Sequence, residues 1–418
     1  MDRAMLTALG EPGRTTILRH ARLIDGTGAP PRMAEVALRD SVILAVGEDL
    51  SGDTVLDCAG MTLMPGLIDA HAHLIYSGFR SLDEIDRQSV ETATINGVLN
   101  AAKVLRAGYT TIRDVGTIGN VAATIRDAIE AGKIPGPRVV ASGPIICPTA
   151  GLGDTVPPHW TRAHGLGVLV DGPEAIRAEV RRQIRNGVDN IKLAASGVEV
   201  GPYAWTWMTT FSETEIRTAV EEAHRWGRTV AVHAQSYDSV KFALRAGVDT
   251  IEHGTRMDEE AIALFAQSDT VLVPTLSTLF SVLELGAKLN LPEKQREEMA
   301  VNEPLWLASF ARARAAGIPI AAGADLGNRY PHGSNAREIA LLVRCGMSPM
   351  EALRAATAVA AHALRRADRI GVVGAGKQAD LLLFDGDPLT DIESLQDASR
   401  IALVIKGGCA VEGHLQAD

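Results

Sequence analysis

Cysteine is scarce in this chain. Its four cysteines, Cys58, Cys147, Cys345 and Cys409, are scattered. No Cys-x-x-Cys pair occurs among them, which argues against a disulfide framework and against a zinc ribbon. They read as small buried hydrophobes in a reducing compartment. No stretch approaches the roughly 18 apolar residues that a membrane span needs. Positive charge is also in deficit: 41 Lys and Arg stand against 51 Asp and Glu, for a net charge of -10. Nonspecific nucleic-acid binding rests on clustered Lys and Arg, so neither a membrane nor a nucleic acid is an expected partner. Residues 1–16 carry Asp2, Arg3, Glu11 and Arg14 instead of the apolar segment of a secretory signal, and the expected location is the cytoplasm. No Gly-x-Gly-x-x-Gly follows the first strong strand, which weakens an open doubly wound sheet as the fold.

What the chain does have is a hydrophobic fraction of 46% and 40 glycines spread over 418 residues. That composition fits an α/β protein, and the length fits one large domain plus a small one. Thr16–Ile24 and Val36–Val46 alternate with a period near two, as do Ala379–Asp385 and Arg400–Gly408. Neither end alone has enough strands to bury a face. The two ends are therefore expected to pair into one small β-sandwich, spanning 1–62 and 370–418, around a barrel domain of 63–369.

Between the ends, apolar strand-like runs alternate with helical ones. Strand candidates end near His73, Val115, Ser142, Ala195, His233, His253, Thr275 and Asp325. Helix starts are marked by Ser212-Glu-Thr-Glu215 and Ser348-Pro-Met-Glu351, both capping boxes. The first predicts a buried stripe of Ile216, Val220, Ala223 and Trp226, the second one of Met350, Leu353, Ala356, Ala360 and Leu364. Repeated strand–helix units over about 300 residues predict a (β/α)8 barrel. Long loops at 149–172 and 198–211 belong on its active face. Residues 287–302 read as a solvated helix without chemistry.

The chemistry is concentrated at the strand ends. His71 and His73 lie two apart, so in a strand both imidazoles project from one face. Imidazoles in that arrangement suit zinc and similar divalent ions. Lys192 stands inside the apolar run Ile191-Lys-Leu-Ala-Ala195, and His233, His253 and Asp325 end three further strands. In a barrel these six side chains, carried by five strands, converge on one mouth. Burial and nearby metal charge depress the pKa of such a lysine. Its neutral amine can then add carbon dioxide to form a carbamate, an anion able to bridge two metal ions.

Pro65-Gly-Leu-Ile-Asp-Ala-His-Ala-His73, Ile191-Lys192, His233, Ile251-Glu-His-Gly254, Ala324-Asp325 and Gly376–Pro388 together resemble the amidohydrolase superfamily, in its binuclear-metal branch. Thr110–Gly116 and Pro331–Glu338 further resemble the imidazolonepropionase-like subgroup, which includes Xaa-Pro and Xaa-Arg/Lys dipeptidases and ochratoxin amidases. The resemblance implies that His71, His73 and Asp325 hold a first metal, and that His233 and His253 hold a second. N6-carboxylated Lys192 and a hydroxide would bridge the two, zinc being the expected ion. It also implies that Asp325 is the catalytic base. Asp69 is read as a supporting group on the same strand face. Arg113 is read as structural, paired with Asp114 or Glu338.

The subgroup pattern Gly-Gly-His-Gly-Asp stands here as Ala150-Gly-Leu-Gly-Asp154, so Leu152 replaces a polar substrate contact by apolar surface. His332, Tyr237 and His159 are the other candidate substrate contacts; His20, His164, His224, His362 and His414 are read as ordinary. The expected activity is hydrolysis of the amide of an N-acyl amino acid or dipeptide, ochratoxin A included, by a homo-oligomer. A cyclic amide or lactam hydrolase and a non-catalytic scaffold are the alternatives.

Overall fold

The computed structural model describes residues 6–9, 11–79, 81–157, 159–160 and 164–411. His414 and part of the 149–172 loop lie outside the described residues.

Strands from both ends of the chain form one nine-stranded, largely antiparallel sheet among the described residues. Its centre joins Leu381–Phe384, from the C-terminal side, to Thr62–Pro65 and Ile401–Lys406 in antiparallel register. Thr15–Leu23 then pairs with Arg32–Arg39, which turns back through Asp40, in left-handed conformation, into Val42–Gly47. The single run expected over Val36–Val46 is thus a hairpin. Leu18, Val36, Ile43, Leu63, Leu381 and Ile405 are buried in a core separate from that of the barrel. The small β-sandwich domain built from both termini is present, and it takes in residues 62–65. Gly66 carries the chain from this sheet into the barrel, and a Cβ there would overlap the Thr110 side chain.

The barrel strands are Leu67–Ala72, Tyr109–Asp114, Arg138–Ala141, Asn190–Ala194, Thr229–Ala234, Thr250–His253 and Val271–Val273. They pair in parallel, with a bridge between Ser142 and Asn190 joining the third to the fourth. The eighth staves are residues 318–325, which lack regular strand geometry but bond on both sides. Ala321 N–H donates to Leu272 at 2.9 Å, and Ala70 N–H donates to Ala322 at 2.9 Å, so the barrel closes. Gly323 permits the approach: a Cβ there would lie 2.7 Å from the Cβ of His71.

Both capping boxes form. Ile216, Val220 and Ala223 are buried as expected, but Trp226 is 55% exposed, at the helix C-cap, with its indole N–H on Glu222. The stripe after Ser348 divides between two helices, Pro349–Ala355 and Ala358–Ala363. The cause is the barrel wall. Ala322 N–H and Ile68 N–H donate to the carbonyls of Ala355 and Ala356, which therefore leave the helical ladder. The solvated helix begins at Glu293, runs to Ala315, and buries Trp306 and Phe310 in its second half. No helix among the described residues is long and apolar enough to cross a membrane.

Candidate metal centre

The barrel directs alternate residues inward at the ends of its strands, and there the polar groups collect. His71, His73, Lys192, His233, His253 and Asp325 line one cavity, with Leu152, Tyr76, Leu82, Ile145, Val198 and Val200 as apolar wall. The imidazole centroids of His71 and His73 are 5.3 Å apart, those of His71 and His253 5.2 Å, and those of His233 and His253 4.5 Å.

Each imidazole is tied down at one nitrogen. His71 Nδ1 lies 2.6 Å from Glu252 Oε2, and His73 Nδ1 lies 2.9 Å from the Gly116 carbonyl. His253 Nδ1 is 2.6 Å from Thr275 Oγ1, whose own proton goes to the Pro274 carbonyl. His233 is held the other way round, its Nε2 2.9 Å from the Gly197 carbonyl. An acceptor at one nitrogen keeps the proton there and leaves the opposite lone pair available. That means Nε2 of His71, His73 and His253, and Nδ1 of His233. Burial pushes His73 and His233 down to about 3, and it holds His253 well below the usual imidazole range. The neutral imidazole is the form that binds metal.

Asp325 completes the first cluster. Its Oδ1 is 3.7 Å from His71 Nε2 and 3.6 Å from His73 Nε2, and the three ligand atoms lie within 4.8 Å of one another. Burial raises its pKa, but His71, His73 and the Thr278 hydroxyl outweigh that and hold it below the usual carboxylate range. Lys192 is 2% exposed, and its Nζ has no hydrogen-bond partner among the described residues. Burial lowers it to about 8, against the pull of Glu252. An orphaned amine beside four imidazoles and a carboxylate is a donor set that fits two divalent cations with a lysine carbamate.

The groups beneath these side chains explain their poses. Arg113 and Glu252 form an ion pair at 2.8 Å with both side chains fully buried. Arg113 also donates to the Ala70 carbonyl at 2.8 Å and to Thr250 Oγ1 at 3.0 Å. Its role is structural, as expected, but its partner is Glu252, not Asp114 or Glu338. Asp69 accepts from His71 N–H and Ala324 N–H at 3.0 Å and from Asn335 Nδ2 at 2.6 Å, so it locks the first and eighth staves together. Glu338 accepts from Leu276 N–H and Ser277 N–H, at the start of the buried helix Leu276–Leu285. His253, Thr275 and Asp325 all adopt left-handed backbone with φ of 71°, 49° and 48°. Such strain is tolerated where the surroundings over-determine the conformation.

Three of the expected substrate contacts stand outside the cavity. His332 is buried below the first strand's end, its Nε2 3.1 Å from the His73 carbonyl, so it braces that loop. Tyr237 is 43% exposed at the start of the helix Tyr237–Ala246. His159 is exposed, its ring 6.4 Å from that of Trp160. Leu152 alone of the four lines the wall. Sequence reasoning missed Glu252, Thr275, Thr278, Glu199, Gln235 and Arg329. Glu252 had one visible signal: an acid beside His253 inside an apolar strand.

The amidohydrolase family pattern matches residues 62–411. The ochratoxinase of Aspergillus niger is 30% identical over 98% of this chain and 89% of its own length. Its crystal structure superposes with a TM-score of 0.86 at 29% identity, over 96% of both chains. A Xaa-Pro dipeptidase solved with bound methionine gives a TM-score of 0.86 at 33% identity, over 96% of this chain and all of that one. Imidazolonepropionase of Geobacillus kaustophilus is 24% identical over 90% of this chain and 89% of its own length. A non-catalytic scaffold is thereby set aside: the chain belongs to the amidohydrolase family and is a hydrolase acting on amide C–N bonds.

Proposed function

We propose that this chain is a binuclear-metal amide hydrolase that removes a C-terminal amino acid bearing a free carboxylate from an N-acyl amino acid or a dipeptide. One observation carries the reading. The cavity that collects four imidazoles, Asp325 and an unpartnered lysine is also lined by a second cation, Arg329. A linear substrate with a carboxylate needs such an anchor, and a neutral cyclic amide does not.

His71, His73 and Asp325 would hold one divalent ion, His233 and His253 a second, with carboxylated Lys192 between them. When bound, the ions supply an acidified water nucleophile and polarise the scissile carbonyl. Asp325 accepts the nucleophile's proton and returns it to the leaving amine nitrogen. Thr278 donates to Asp325 Oδ2 at 2.9 Å and so orients the carboxylate. Glu252 holds His71 and Thr275 holds His253, which keeps those rings from turning. Tyr76, Leu82, Ile145 and Leu152 exclude water and supply an apolar surface for a bulky or aromatic acyl part, such as that of ochratoxin A. The working form is proposed to be a cytoplasmic homo-oligomer.

The test is turnover by zinc-loaded protein of N-acyl amino acids, dipeptides and ochratoxin A, set against lactams and hydantoins. Release of the C-terminal amino acid from the linear set is the expected result. Hydrolysis confined to the rings would overturn the reading.

A further inference from the structure

Two loops from opposite sides of the barrel bring a charge pair into the cavity. Glu199 follows the fourth strand, Asn190–Ala194, and Arg329 follows the eighth stave. Arg329 Nη2 lies 3.7 Å from Glu199 Oε1, with the side chains 12% and 3% exposed. That separation is beyond hydrogen-bond length. Arg329 Nη1 is 3.4 Å from Ser281 Oγ, at the limit of contact. Glu199 Oε2 is buried and has no hydrogen-bond partner among the described residues.

The same molecule shows what a saturated pair looks like. Arg113 and Glu252 meet at 2.8 Å, and both side chains have further partners on every side. Glu199 and Arg329 are near enough to compensate each other's charge and too far apart to use up each other's hydrogen bonds. Val198 and Val200 flank Glu199 on the cavity wall, which keeps water and its screening away. Burial raises the carboxyl's pKa and Arg329 opposes that rise. A cation from a ligand would complete the site, since buried polar groups rarely stay unpaired.

Resting on the amide-hydrolase reading above, we propose that Glu199 and Arg329 read opposite charges on one substrate: Arg329 takes the free carboxylate and Glu199 takes an ammonium or guanidinium group. That group comes either from the unblocked N-terminus of a dipeptide or from a basic C-terminal side chain. On this account zwitterionic peptides are better substrates than capped, neutral ones of the same shape.

Two matched pairs test it on zinc-loaded protein. Glycyl-leucine and propionyl-leucine differ by an ammonium in place of a methyl group at the N-terminal end. Propionyl-lysine and propionyl-norleucine differ at the C-terminal side chain. The expected result is a preference in kcat/KM for the cationic member of one pair, on the order of tenfold or more. The pair that shows it identifies the source of the cation. Glu199→Gln should reduce that preference to less than about threefold, as a ratio within the same variant. Zinc-free protein gives a second readout: lysine or glycyl-leucine should raise Tm more than norleucine or propionyl-leucine, and Glu199→Asp should narrow the gap. Cleavage of the neutral members with no preference in either pair would overturn this inference and leave amide hydrolysis standing. A preference that survives in Glu199→Gln would overturn the assignment to Glu199. No cleavage of any member would overturn the N-acyl amino acid and dipeptide reading on which it rests.

Discussion

Asp249 and Glu252 stand three residues apart, the first just before the strand Thr250–His253 at the bottom of the barrel and the second near its mouth. At the bottom, Asp249 is buried and saturated. It accepts from His224 Nε2 at 2.8 Å, from Val230 N–H at 2.8 Å and from Arg365 at 2.9 Å. At the mouth, Glu252 is equally saturated, but the groups it supports are not. His71 keeps a free Nε2, Lys192 Nζ and Glu199 Oε2 lack partners among the described residues, and three non-glycine residues sit in left-handed backbone. The bottom uses its polar groups on one another and gains stability. The mouth leaves its polar groups open and gains a site. At the mouth, unpaired polar atoms, left-handed backbone and a cavity lined by titratable side chains coincide, and that coincidence marks the site.

The contrast can be broken most severely at Asp325. Asp325→Asn should lower kcat by about 10²–10⁴-fold, as expected for loss of a general base. The melting temperature should hardly move, because the mouth contributes little to stability. Steady-state kinetics beside thermal unfolding check both halves, and turnover near the wild-type rate would remove Asp325 as base.

Glu252 joins the two regimes, so its loss should damage both. Glu252→Gln leaves the Arg113 charge buried without its counter-ion, for about 3–5 kcal/mol of stability. It also releases His71, which should weaken zinc binding by about 10–100-fold. Denaturant unfolding and zinc titration measure the two effects separately. Loss of stability with unchanged zinc affinity would show that the 2.6 Å contact to His71 does not orient the ligand.

Asp249→Asn is the smallest of the three and the cleanest test of the bottom. Burial raises the Asp249 pKa, but His224, Val230 N–H and Arg365 outweigh it and hold the group below its ordinary 3.8. A carboxyl depressed by folding contributes stability above its unfolded pKa and loses it as pH falls through the folded value. The variant should therefore lose about 1–3 kcal/mol at pH 7. The difference in Tm from wild type should shrink as pH falls below the ordinary value of 3.8. A gap that persists unchanged in acid would mean that packing, not charge, is what Asp249 supplies.

Much of the mouth was legible because the physics behind it is local. His71 and His73 share a face through the period of a strand, and Lys192 is conspicuous in an apolar run. Seven of the eight strand ends expected from the pattern fall within two residues of those observed, and the eighth, at Asp325, closes a stave without regular strand geometry. What stayed hidden depends on contacts distant in sequence. Thr275 holds His253 from the turn after the next strand, Arg329 meets Glu199 across 130 residues, and Glu252 reaches back to His71. The division of the 349–364 helix was also hidden, because its cause is two amide donors on the barrel wall. His332 was placed correctly near the eighth stave, yet it turns to the His73 carbonyl instead of the cavity.

Anomalous diffraction from crystals of the zinc-loaded protein tests the central claim most directly. The account predicts two zinc peaks within about 4 Å of each other, between His71, His73 and Asp325 on one side and His233 and His253 on the other, with added density on Lys192 Nζ. A single peak, zinc bound elsewhere, or an unmodified Lys192 pointing away from both ions would contradict it.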